Sequence, residues 1–576
     1  MLYFIVVWTG LLFVCLTVGC GWLHGLHANS LQRTSERAIL AAWLGLGTMA
    51  ILMLAVAIFV PLSPLVGVSV ALLAMVPPLA SSATRAELLS WQRCCSQGSL
   101  LRYGLGYALC SGAIASFISQ KVTWLDTGQY HSGFVRWLAE YGITPGLALL
   151  NAQFGFVSGW FAIAAPFNFA GQDSRASTVM NGFALLLAVL QISLALKCIL
   201  TNSVVSKREH LNDWFLLVFS LIVFLLLTQT SFLSAVVISA SPDAAIALFT
   251  VIVAWSILTL EASDLNRQQC LLNADLIPVI LAAAACSIKL TALPLLAIAA
   301  GFYLFRGPSG WRLLTGGACI SGLMLPFLTA QVLVSGCPLY PSTAACFSLP
   351  WTNSIVETQT LAEATHGWGN WFGQPPTGAY RSLWLIQQWL NSNQSSKLTA
   401  LLIVLSIGSG LYLLTRLRSP QGYSFFWLLS LSAVGIAFMM LKAPLFRFGM
   451  GYALLLPMLS VSMLCESTSQ RLHAKASPKT LDLTLLAVGA CCAIALNAHS
   501  YDTVRDRLLV APPLPSVDFQ LQTANGITYA ITQDQREQCW SVQLPCVAKV
   551  RSDVRLRNPQ LGIKGGFVRD PQVEAP

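Results

Sequence analysis

Two aspartates stand apart in this chain of 576 residues: Asp126 in the run WLDTGQYHSGFVRW and Asp243 in ISASPDAAIA. Each lies at the end of an apolar segment, and none of the 23 acidic residues falls in the middle of one. An ionisable side chain is costly inside hydrocarbon and marks function when it occurs there. A pair placed just outside predicts chemistry at the membrane surface, and the absence of charge at membrane depth argues against ion-coupled transport. Tyr130, Phe134 and Trp137 recur after Asp126 at three- to four-residue spacing. That pattern predicts an amphipathic helix lying on the membrane, with Tyr130 close to the face of Asp126 and His131 adjacent. Asp126 could equally cap this helix, and Ser241, Pro242 and Asp243 could form the cap and first turn of the segment that follows them.

Most of the 16 cysteines are scattered through apolar segments, where a small apolar residue suffices. Cys539 and Cys546 in CWSVQLPC, and Cys337 and Cys346 in CPLYPSTAAC, are closely spaced pairs that predict two disulfide loops on an oxidising side. No spacing resembles a zinc site, and the seven histidines never form an HExxH pattern.

The elements that must position these residues are apolar helices. The chain is 55% hydrophobic and 10% charged, with apolar runs of 16 to 22 residues, the length a helix needs to cross about 30 Å of hydrocarbon. Barrel strands are shorter and alternate, so an all-α polytopic membrane protein of about 13–14 transmembrane helices is expected. Fourteen candidate spans run from residues 2–23 to 483–496. Basic residues cluster in alternate loops: Arg33 and Arg37; Arg85, Arg93 and Arg102; Lys197, Lys207 and Arg208; Arg267; Arg306 and Arg312; Arg416 and Arg418; Arg471, Lys475 and Lys479. The positive-inside rule makes that face cytoplasmic and both termini extracytoplasmic. Residues 151–170 would break the alternation as a span, so they read as an interfacial segment of one long external loop. The first span lacks a basic leader, which argues against a cleaved signal peptide.

Three regions follow: N-terminal helices (1–102), a core (103–497) with large external loops at 120–176 and 335–397, and an extracytoplasmic tail (498–576). Alternation in TANGITYAITQDQREQCW predicts a small α/β or β-rich module that covers a site or binds a partner. Cytoplasmic loops are short and lack a Gly-rich phosphate loop, which excludes a nucleotide site. The net charge of +10 mostly records the inside bias, so no nucleic-acid partner is expected; the lipid bilayer is.

Counting from the span at 103–119, the first external loop carries Asp126 near its start and the loop between the third and fourth spans carries Asp243. That arrangement resembles the GT-C superfamily of membrane glycosyltransferases, which use polyprenyl-phosphate sugar donors. SIKLTALPLLA around Lys289 is similar to the lysine-containing turn of many members. DTGQYHSGFVRWLAEYGITPGLALLN, SGCPLYPS and CWSVQLPC resemble an uncharacterised bacterial, cyanobacterial-type family of multi-pass proteins. The resemblance covers the chain from about Tyr103 onward. KAPLFRFGMG departs from it, with Leu445 where an acidic residue is expected.

The resemblance implies a GT-C-like fold in the bacterial inner membrane and sugar transfer from a polyprenyl-phosphate-linked donor to a lipid, glycan or protein at the outer face. Asp126 would be catalytic base or metal ligand, with Asp243 supporting it and a divalent ion, Mg or Mn, as the candidate cofactor. Lys289 and Arg447 lie in short turns between apolar spans and would hold phosphate. Tyr130, His131 and His366 would bind substrate; Trp368 and Trp371 could pack on sugar rings, though an ordinary interfacial aromatic belt explains them as well. The alternatives are a transporter of lipid-linked glycans or small molecules and an O-antigen polymerase or ligase. A catalytic Arg/His loop favours the latter, yet 335–397 holds one Arg and one His.

Overall fold

The computed structural model describes residues 1–97, 100–168, 178–201, 206–260, 272–307, 310–419, 421–471, 484–497, 507–509 and 511–570. Asp173, Arg175, Arg267, Lys475 and Lys479 lie outside the described residues.

The helices are α1 (Leu2–Gly25), α2 (Thr34–Ala57), α3 (Pro64–Ala80), α4 (Ser82–Gln97), α5 (Leu100–Ile118), α6 (Ser132–Glu140) and α7 (Gly159–Ala164). Next come α8 (Val179–Thr201), α9 (Lys207–Gln229), α10 (Ser231–Val237), α11 (Asp243–Leu260), α12 (Ile277–Ile288), α13 (Leu293–Phe305) and α14 (Gly310–Ser335). The remainder are α15 (Ile355–His366), α16 (Arg381–Ser392), α17 (Gln394–Leu414), α18 (Gly422–Lys442), α19 (Phe446–Arg471) and α20 (Thr484–Asn497). Among the described residues nine helices are long and apolar enough to cross a membrane, or ten if the bent pair α3 and α4 counts as one. This is the build of a multi-pass membrane protein. Three further apolar helices, Ala274–Ile288, Leu290–Phe305 and Leu486–Leu496, are shorter than a span.

α11 is apolar on every side and buried throughout, which makes it the axis of the bundle. It packs on α9, α12 and α19, while α2 packs on α1, α7 and α12. Backbone contact joins the N-terminus to residues 507–509, and the end of α2 to Ile143 in the long loop. One end of the bundle therefore gathers the chain start, the loops after α5 and α14, and the tail. Basic residues at the start of α2, α9 and α14 gather at the other end.

Two local expectations are corrected. Residues 151–167, expected as an interfacial segment of the long loop, are folded into the bundle instead. They break into a 3-10 turn (Ala152–Gly155), α7 and a second turn (Ala165–Phe167), mostly buried. Asn151 and Ser158 each cap a turn by accepting a backbone N–H, which restarts the chain twice. The face of Phe134 and Trp137 does not lie on a membrane either. Both are fully buried, Phe134 against Phe154 and Phe161 and Trp137 against Phe567 of the tail.

The tail is a small sheet module. β1 (Phe519–Ala524) and β2 (Ile527–Thr532) pair antiparallel around Asn525–Gly526, both at positive φ, as a two-residue hairpin requires. β3 (Cys546–Val547) adds parallel to β2, and β4 (Val554–Leu556) pairs antiparallel with β5 (Phe567–Arg569).

Candidate functional site

Asp126 follows α5 and directly precedes a single π-helical turn, Thr127–His131, that runs into α6. It occupies the N-cap position, but its carboxylate makes no cap hydrogen bond. Its Oδ2 instead accepts from Trp124 Nε1 at 3.2 Å and from Arg447 Nη1 at 3.2 Å. Asp243 opens α11 after Pro242, which suits a helix start because it has no N–H to leave unsatisfied. Its Oδ1 accepts from Lys289 Nζ and its Oδ2 lies 3.5 Å from Arg447 Nε.

Lys289 sits where α12 gives way to extended backbone and a 3-10 turn, with Pro294 fixing the restart. α12 and α13 have 12 and 13 residues, about 18–20 Å each, so their hairpin falls short of the roughly 30 Å of a span. Lys289 is thereby sunk into the bundle. Arg447, the second residue of α19, follows Pro444 and stands between the two carboxylates. Aromatic faces wall in both cations: Lys289 Nζ lies 4.1 Å from the Phe448 ring centre, and the Arg447 guanidinium 4.9 Å from those of Trp124 and Phe448.

Four segments far apart in sequence thus build one alternating row, Asp126–Arg447–Asp243–Lys289. Each charge has an opposite neighbour, which is what makes its desolvation tolerable. The row forms a wall of a cavity of about 690 Å³, a volume suited to a small ligand. Tyr130, His131, His366 and Trp371 line the same cavity, as does Leu445. All seven residues singled out in the sequence for catalysis or substrate binding meet here. Trp368 does not line it: its indole donates to Met440 O at 2.7 Å and its ring packs on Trp389. Lys442, not singled out, is exposed and also lines the cavity, and its ammonium has no ion-pair partner among the described residues.

The carboxylates do not fit a magnesium or manganese ion. Arg447 and Lys289 already hold both oxygens of Asp243, and Arg447 and Trp124 hold Oδ2 of Asp126. A divalent ion would have to sit against a guanidinium and an ammonium.

Burial holds two imidazoles neutral. His131, with Nδ1 3.1 Å from Thr127 Oγ1, is pushed down to about 4 by desolvation. Desolvation, then Lys289 and Lys442, lowers His366 to about 4 as well. Burial pushes the Tyr130 phenol well above its usual range, with Asp126 adding to the effect. Because His131 binds its proton more weakly folded than unfolded, its contribution is flat above about pH 6.5 and turns destabilising as pH falls towards 4. The loss is about 3 kcal/mol per histidine. Thermal unfolding of His131→Gln in detergent should show a shallower drop between pH 6.5 and 4 than the native chain. Equal slopes would contradict a neutral buried His131.

The tail clamps this loop. Both predicted disulfides are closed, Cys337–Cys346 and Cys539–Cys546. In the second loop the amides of Cys539 and Trp540 both donate to Gly128 O, at 2.8 and 3.2 Å. Arg136 donates to Ser541 O at 3.0 Å and Ser132 to Trp540 O at 3.2 Å. A Cβ on Gly128 would meet Gln538 and Trp540 at 2.7 Å. Gly128→Val should therefore lift the tail from the loop, and limited proteolysis should release tail fragments at least tenfold faster. An unchanged cleavage rate would show that the clamp is not tight.

The tail is expected from sequence to cover a site or bind a partner, but the contacts that seat it on the Asp126 loop, and the aromatic walls, are not legible there. The clamp joins residues more than 400 positions apart, which no local pattern reports. Trp124, two residues before Asp126, was the one nearby signal.

No curated protein matches the chain, and no solved structure does. One family, described as a domain of unknown function (DUF8201), matches residues 1–454, a stretch that holds the whole charged row and stops before the sheet module. A match over more than three quarters of the chain places this protein in that family, DUF8201.

Proposed function

We propose that the protein is a GT-C-type membrane glycosyltransferase that moves a sugar from a polyprenyl-phosphate donor to a lipid, glycan or protein hydroxyl. The observation that carries this reading is the row itself: a reachable carboxylate beside two cations, in one cavity between apolar helices. Asp126 is the base, since a quarter of its side chain is exposed and Oδ1 is not taken by the row. It takes the proton of the acceptor hydroxyl as that oxygen bonds to the anomeric carbon. The bond from that carbon to the phosphate oxygen breaks, and polyprenyl phosphate leaves. Lys289 and Arg447 stabilise the charge that develops on it. Asp243, 4% exposed, reaches no acceptor; it anchors the two cations. An arriving phosphate offers Arg447 a stronger partner than Asp126, which frees the base as the donor binds.

The gathering of basic residues at the far end supports a cavity that opens on the outer face of a bacterial plasma membrane, with both termini on that side. Profiling surface glycans and lipid-linked sugars by mass spectrometry in cells tests the reading. Asp126→Asn and Asp243→Asn should each reproduce the deletion, with one glycan lost and its polyprenyl-linked donor accumulating. If the deletion alters the profile and neither variant does, the carboxylate mechanism fails.

A further inference from the structure

A second polar cluster lies at the other end of α1, away from the cavity. Cys20 and His24 are four residues apart on α1 and share a face. α3 ends after Pro77 and Pro78, the chain bends by 101°, and Ser81 caps α4 by accepting from Thr84 N. That bend lays Glu87 against α1. Cys20 Sγ, His24 Nε2 and a Glu87 carboxylate oxygen all lie within 4.8 Å of one another. Sγ is 3.3 Å and Nε2 2.7 Å from Oε2. The Nε2 contact is not a hydrogen bond: this nitrogen is buried and has no partner in hydrogen-bond geometry. Three lone-pair-bearing atoms therefore converge on one point. Arg37 forks both carboxylate oxygens, Nε on Oε1 and Nη2 2.6 Å from Oε2, and its Nη1 donates to Ala28 O at 2.9 Å. Unlike Asp126 and Asp243, this carboxylate has a thiol and an imidazole beside it as further donors.

We propose that Cys20, His24 and Glu87 form a zinc-class metal site that staples α4 to α1. Thiolate, imidazole and carboxylate are the donors zinc takes, and a tetrahedral ion at 2.0–2.3 Å holds its ligands roughly 3.3–3.7 Å apart. The cluster reaches that spacing with shifts of about 1 Å. Binding deprotonates Cys20, and the released proton passes to solvent. The thiolate, the carboxylate and the carbonyl end of α1 then offset the ion and Arg37. A water would complete the fourth position. The sequence pattern hid the site because its third ligand arrives only through the bend. The inference does not rest on the glycosyltransferase reading.

The test uses full-length protein in detergent. Elemental analysis after chelator-free purification should find one zinc per chain. Protein stripped and reloaded with Co²⁺ should show thiolate-to-cobalt charge transfer in the near ultraviolet. Cys20→Ser should abolish that band, and His24→Ala should weaken metal binding at least tenfold. Cys20→His should keep the metal and lose the band, which separates lost ligation from lost folding. Metal-free wild-type protein that shows no cobalt band overturns the site, as does a band that survives Cys20→Ser.

Discussion

Replacing Arg447 by alanine is expected to be the most damaging single change to this protein's stability. The side chain stands between Asp126 and Asp243 and is 17% exposed. Its removal leaves Asp243 with Lys289 alone and Asp126 with only the Trp124 indole. Stranding one partner of a buried ion pair costs about 3–5 kcal/mol. Thermal or denaturant unfolding in detergent measures this directly. The same account predicts partial rescue: Asp243→Asn added to Arg447→Ala should cost less than the two single losses summed, by about 1–3 kcal/mol. Simple additivity would mean that the row is not one coupled unit.

Asp126→Asn is expected to do the opposite, sparing the fold and removing the chemistry. Asn keeps the shape and an acceptor for Trp124, and the pair it surrenders is partly exposed, so stability should fall by about 1 kcal/mol or less. Loss of a general base lowers turnover by about 10²–10⁴-fold. In membranes supplied with the polyprenyl-linked donor, transfer should fall by at least that lower bound with normal protein levels. Lys289→Met should instead weaken donor binding, since the residue faces the leaving phosphate and not the acceptor. A variant at Asp126 that keeps wild-type turnover would move the base elsewhere.

The charged row was legible in the sequence for a plain physical reason. Apolar helices leave few places for charge, so Asp126, Asp243, Lys289 and Arg447 stood out at segment ends before any geometry was known. What the sequence lacked was pairing. Nothing local to Lys289 says that its ammonium reaches Asp243 and not a lipid phosphate, because that depends on how short α12 and α13 are. The tail misled the reading in another way. The face of Tyr130, Phe134 and Trp137 has the spacing of a membrane-surface helix, and the same spacing serves a helix buried under a distant module. α12 and α13 likewise read as spans, since apolarity is what a sequence reports and depth in a bundle is not.

Native mass spectrometry of the full-length protein, purified gently from its own membranes, identifies the lipid in the cavity. A polyprenyl-phosphate species should be bound to the wild type, enriched with its sugar attached in Asp126→Asn, and lost in Lys289→Met. Wild-type and Asp126→Asn protein that both carry only ordinary phospholipid would contradict a polyprenyl-phosphate donor.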